Sequence, residues 1–158
     1  MSDARWIEID IDLENALGHY EKSIALFELG GFNKSGLRGY QAEMALMHAL
    51  QAAHTSLESG FLRILEMLGE ERPTGKNWHA DLIRRIARDL PGRRPAIVSA
   101  MLADAADETR RFRHRATHTY DSFEIDDISP TLDAARVLVE GLRGEIAFFK
   151  SKVDPDAV

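Results

Sequence analysis

The sequence predicts an all-α fold, a five-helix up-and-down bundle, on three observations. Apolar residues recur at spacings of three and four over long segments. No segment shows the period-two alternation of a half-buried strand. Clusters of Gly and Pro cut the chain into helix-length pieces at Gly30-Gly31, Gly69 to Gly75 and Pro91 to Pro95.

The first helix is expected from about Glu8 to Leu29, where Leu13, Leu17, Tyr20, Ile24 and Phe27 draw one apolar stripe. Gly30 and Gly31 end it, and 33–39 form a loop. The second is expected from about Tyr40 to Leu68, with Leu46, Leu50, Ala53, Leu57, Phe61, Ile64 and Leu68 on its core face. At 1.5 Å per residue it would be roughly 40 Å long, enough to cross the domain. Asn77 is placed to cap a short third helix through Leu90, anchored by Trp78. The fourth is expected from about Ala96 to Thr117. Tyr120 to Ser129 reads as an acidic loop. Ser129 then caps a fifth helix with Pro130 at its first position. Its stripe is Leu132, Ala135, Val139, Leu142, Ile146, Phe149 and Val153. The reading is one domain over 1–153, with 154–158 as a tail that frays.

A chain of 158 residues suits one domain and buries a sizeable core without staples. It has no cysteine, which excludes disulfides and thiolate metal sites and fits a reducing compartment. The first ten residues are acidic and lack a secretory pattern, and no apolar run reaches membrane-spanning length. A cytoplasmic protein with no membrane association is the expectation. The net charge of −6 argues against broad non-specific nucleic-acid binding but leaves room for a focused basic cleft.

One stretch runs against this acidic background. Arg111 to Tyr120 reads Arg-Phe-Arg-His-Arg-Ala-Thr-His-Thr-Tyr, with three arginines and two histidines in its first eight residues. Arginine forks onto phosphate oxygens, and histidine moves protons near neutral pH. On a regular helix Arg111, His114, Arg115 and His118 share one face, while Arg113 lies about 140° away from His118. Either the helix loosens after Arg115, or two chains pair so that both residues line one cleft. The competing reading is electrostatic: basic residues in a last turn complement the helix dipole and face the acidic loop that follows.

Arg113, four intervening residues, His118, one residue and Tyr120 resemble the R-x4-H-x-Y motif of HEPN domains, in particular HepT-like ribonuclease toxins. His114 stands where the family commonly carries a small polar residue such as Asn. The likeness covers roughly residues 5 to 150, and its close part is Arg113 to Tyr120. The resemblance implies a HEPN-type bundle acting as a symmetric dimer with a composite site. It implies metal-independent cleavage of RNA, with the 2′-OH as nucleophile and a 2′,3′-cyclic phosphate as product, and no cofactor. Arg113 and His118 would be catalytic, and Arg111, His114 and Arg115 would hold substrate. An MNT-type nucleotidyltransferase antitoxin would be the partner, and Tyr120 the acceptor of AMP. The alternative function is a non-catalytic helical partner of such a nucleotidyltransferase.

Other candidates are weaker. His114 and His118, at i and i+4, have no third metal ligand nearby and three arginines beside them, so no metal is expected. His19, His48 and His54 read as packing or surface residues, and His79 follows Trp78 in the cap region of the third helix. No serine sits in a nucleophile-elbow pattern and no glycine run forms a phosphate loop. Glu43 and Arg63, charged residues on the long second helix, could turn inward to orient a catalytic group, but more often such residues form a solvated face.

Overall fold

The computed structural model describes residues 3–118 and 124–157, and among them are five α-helices and no strand. Helix α1, Ala4–Leu29, begins four residues before the expected start. Asp3 explains this: its carboxylate accepts from the Arg5 backbone N–H at 2.9 Å and caps the first turn. At the other end Gly30 adopts φ 75°, and its N–H returns to the carbonyls of Leu26 and Phe27.

Helix α2, Leu37–Met67, packs along α1. The two approach closely at Gly60, where a Cβ would stand 2.5 Å from Leu13 Cδ2. Helix α3, Trp78–Ile86, stops four residues short of Leu90. Arg94 supplies the reason. Its buried guanidinium pairs with both carboxylate oxygens of Glu70, at 2.5 and 3.0 Å, and donates to the carbonyls of Arg85, Arg88 and Pro95. Two of those carbonyls lie at the end of α3 and just past it, so a cation folded back from the following loop satisfies them.

Helix α4, Ala100–His118, likewise starts four residues late. Ser99 Oγ accepts from the Leu102 N–H at 3.3 Å, while the Ser99 backbone and hydroxyl both donate to Glu145. Helix α5, Ser129–Val153, starts one residue earlier than expected: Ile128 holds the cap position and Ser129 lies inside the first turn with Pro130. In its stripe Leu138 takes the fully buried place expected of Val139, which is half-buried. Asp154, expected to fray, accepts from Trp6 Nε1 at 2.9 Å, and Pro155–Ala157 form one turn of 3-10 helix against α5.

Helices α1, α2, α4 and α5 form the bundle. α1 packs on α2 and α5, α4 packs on α2 and α5, and short α3 lies against α2 and α4. Trp6, Leu17, Leu50, Phe61, Leu138 and Phe149 are buried at the centre. Each such side chain contributes about 1.5–3 kcal/mol through removal from water. No helix among the described residues is long and apolar enough to cross a membrane.

Candidate functional site

The expected site residues separate on α4, which stays helical through His118. Arg111, His114, Arg115 and His118 are exposed, whereas Arg113 is turned inward with 16% of its side chain exposed. Helical geometry requires this division. Leu102, Ala106, Thr109, Arg113 and Ala116 step by four and three, so Arg113 belongs to the face that packs against α2 and α3. No contact among the described residues joins Arg113 to His118.

On the exposed face the His114 and His118 rings lie 4.2 Å apart between centroids. His118 Nδ1 is 2.9 Å from the His114 carbonyl oxygen, an acceptor only, so Nδ1 carries the proton and Nε2 is the nitrogen left for proton transfer. The Thr117 hydroxyl donates to the Arg113 carbonyl at 2.9 Å. Arg111 pairs with Glu108 at 2.8 Å and with Asp107 at 3.6 Å, and Arg115 approaches Glu108 at 3.9 Å. These arginines therefore already have carboxylate partners on their own helix. Tyr120, expected as the modified residue, lies outside the described residues.

The inward side of α4 holds a polar cluster that the sequence reading did not anticipate. Arg113 Nη1 meets Glu58 Oε1 at 2.7 Å and donates to Thr55 Oγ1 at 3.1 Å. Glu58 is 4% exposed, on the core face of α2. Its other oxygen, Oε2, is 2.5 Å from His79 Nδ1 at the start of α3. Arg113 Nη2 also lies 2.9 Å from that Nδ1. One nitrogen cannot accept from the guanidinium and donate to the carboxylate together. A lone pair facing Glu58 at 2.5 Å would be repelled, so Nδ1 donates to Glu58 and the guanidinium is a neighbouring charge.

Burial alone would raise the Glu58 carboxyl, but His54, the Arg113 guanidinium and His79 outweigh it and hold it down to about 2. Glu58 is therefore ionised. Behind it His54 is buried, and burial pushes its pKa below the ordinary histidine value, so it is neutral at pH 7. His54 Nε2 lies 3.5 Å from Glu58 Oε2, too long for a good hydrogen bond but close enough for an N–H there to favour the carboxylate. His54 Nδ1 is 2.8 Å from Thr109 Oγ1, which accepts from Tyr20 Oη at 2.9 Å. We assign the proton to Nε2, because the other tautomer would aim a lone pair at the carboxylate. Thr109 Oγ1 also donates to the Ala106 carbonyl at 3.0 Å, so its single proton is shared between that oxygen and Nδ1, and one polar line runs Tyr20, Thr109, His54, Glu58 across α1, α4 and α2 to Arg113.

His54, first read as a packing or surface residue, and His79, read as part of a cap region, thus belong to this cluster. A signal for them existed. His54, Glu58, Phe61 and Leu65 share one face of α2, as His79, Leu82, Ile83 and Ile86 do on α3. Arg63, by contrast, lies at the surface and pairs with Glu8 at 2.8 Å and Asp12 at 2.7 Å on α1. No group of three or more His, Asp or Glu side chains among the described residues is arranged to hold a metal ion.

A family model described as HepT-like protein matches residues 45–153, most of α2 through the end of α5. No curated protein and no solved structure matches the chain.

Proposed function

This chain belongs to the HepT-like family, and from that premise we propose that it is a metal-independent endoribonuclease toxin. The observation that supports this reading is the seating of Arg113. The motif arginine is held by Glu58 and Thr55 at a fixed place beside His79. A guanidinium held in advance pays no ordering cost when a phosphorane's equatorial charge develops. His118 presents Nε2 on the exposed face and moves a proton. The ribose 2′-oxygen attacks phosphorus, the P–O5′ bond breaks, and a 2′,3′-cyclic phosphate and a 5′-hydroxyl result. DNA lacks the nucleophile and is not cut. Arg111, His114 and Arg115 hold flanking phosphates.

Arg113 and His118 point to different sides of α4, so a homodimer is the economical way to bring both to one phosphate, each from a different copy. Control falls to an MNT-type nucleotidyltransferase antitoxin, which transfers AMP from ATP to Tyr120. The Tyr120 oxygen bonds the α-phosphorus and pyrophosphate leaves. The added phosphate competes with RNA for the basic face. The cytoplasm, where RNA and ATP meet, is the proposed compartment.

A second reading has an observation of its own. Arg113 is mostly buried and already neutralised by Glu58, which favours a non-catalytic helical partner of the nucleotidyltransferase. One experiment separates the two: RNA cleavage in EDTA by the wild type and by His118→Ala. Cleavage that EDTA leaves intact and the substitution lowers about 10²-fold or more supports the nuclease. No cleavage by the wild type supports the binding partner.

A further inference from the structure

The cluster on the inward side of α4 places a second histidine where the ribonuclease chemistry needs one. Transesterification of RNA requires two proton transfers, one from the 2′-hydroxyl and one to the leaving 5′-oxygen. His118 can serve one of them in a given turnover. His79 is the histidine that sits against Arg113: its Nδ1 is 2.9 Å from Nη2 of that residue and 2.5 Å from Glu58 Oε2.

We propose that His79 is a catalytic residue of this chain, the base that removes the 2′-proton, oriented by Glu58 and held against Arg113. This rests on the ribonuclease reading above. Three observations carry it. With Nδ1–H donated to Glu58, the ring is fixed in the tautomer whose Nε2 lone pair is free to accept. The same pairing of carboxylate, imidazole and acceptor nitrogen orients the general base of serine hydrolases. His79 is also open where its neighbours are closed, with 36% of its side chain exposed against 6% for Glu58 and 16% for Arg113. Trp78 stacks on the ring at 3.7 Å between centroids and limits its rotation.

The step balances without a further reagent. His79 Nε2 takes the 2′-proton as the 2′-oxygen bonds phosphorus. The P–O5′ bonding pair leaves on O5′, which takes a proton from His118 imidazolium. His79 ends as imidazolium and His118 neutral, and exchange with water restores both. Arg113, between Glu58 and the phosphate, carries the developing charge. Glu58 touches no substrate and acts as a positioning residue.

The test is RNA cleavage in EDTA by wild type, His79→Gln, His79→Gly and Glu58→Gln, with melting curves alongside. His79→Gln preserves size and a hydrogen-bond donor toward Glu58 but cannot take a proton, so kcat should fall about 10²–10⁴-fold. His79→Gly should fall as far and recover in proportion to imidazole added to the buffer. Glu58→Gln should lower kcat and leave KM unchanged. Cleavage by His79→Gln within threefold of wild type overturns the proposal, as does a His79→Gly loss that imidazole fails to reverse. A wild type that leaves RNA intact overturns the ribonuclease reading itself, and this inference with it. A wild type that cuts while His79→Gln cuts equally removes only the inference.

Discussion

Replacing Arg113 with Ala tests the site's energetics before any substrate is added. The substitution removes the guanidinium 2.7 Å from Glu58 Oε1 and leaves that carboxylate with only 6% of its side chain exposed. Removing one partner of a buried ion pair costs about 3–5 kcal/mol, because the other charge is stranded away from water. His79 still donates to Glu58, which places the expected loss near the lower end, about 3 kcal/mol. That is a large share of the roughly 5–15 kcal/mol that holds a domain together. The variant should therefore fold with a reduced margin. Urea denaturation followed by circular dichroism at pH 7 and pH 4 measures the effect. In the wild type the depressed Glu58 carboxyl contributes stability that is fully present above its ordinary value of about 4.3 and is lost as pH falls toward about 2. In the variant, protonation relieves the stranded charge, so the deficit is largest at pH 7 and narrows at pH 4. Arg63→Ala, whose ion pairs are open to solvent, is the control and should barely move the midpoint. An Arg113→Ala loss below about 1 kcal/mol, the range of surface pairs, or a deficit that grows on acidification, refutes the buried-pair reasoning.

Three further outcomes are expected. Gly60→Ala pushes a Cβ to 2.5 Å from Leu13 Cδ2 and should destabilise by about 1–3 kcal/mol in the same urea assay; an unchanged midpoint would mean that α1 and α2 do not approach there. His54 is buried with a lowered pKa, so the unfolded chain binds the extra proton below about 6.5 and stability falls as pH drops through that value, by up to about 1.4 kcal/mol per unit. His54→Gln should remove that component between pH 7.5 and 5.5, and equal slopes for both proteins would count against it. Coexpression with an MNT-type nucleotidyltransferase, the proposed partner, should add the mass of AMP to the wild type and not to Tyr120→Phe, as intact mass spectrometry would report.

The helices were legible because burial imposes its period on the sequence. The end of α1 followed from Gly30, and α3 and α5 start beside Asn77 and Pro130, although Asn77 makes no side-chain capping bond and Ser129 lies inside its helix rather than at the cap. Of the ends that differed, Ala4 follows from the local cap of Asp3, whereas Ile86 and Ala100 depend on Arg94 folding back onto carbonyls and on Ser99 meeting Glu145, contacts between segments that no local pattern encodes. For the site, the motif drew attention to the exposed face of α4. The inward face was also readable in part. Glu58, His79 and Arg113 each fall on the apolar stripe of their own helix, and a charge on such a stripe demands a partner. That the three meet one another, and that His54, Thr109 and Tyr20 stand behind them, depends on the mutual register of four helices, which periodicity within one helix does not specify.

The polar line from Tyr20 to Arg113 also sets an order of events during synthesis. Its members are contributed by α1, α2 and α4, and His79 by α3. Arg113 is therefore translated after every residue that seats it, Thr55, Glu58 and His79. Helix α5, which packs on both α1 and α4, emerges after them. A protein whose proposed target is RNA thus completes its working geometry only after α4 has been made.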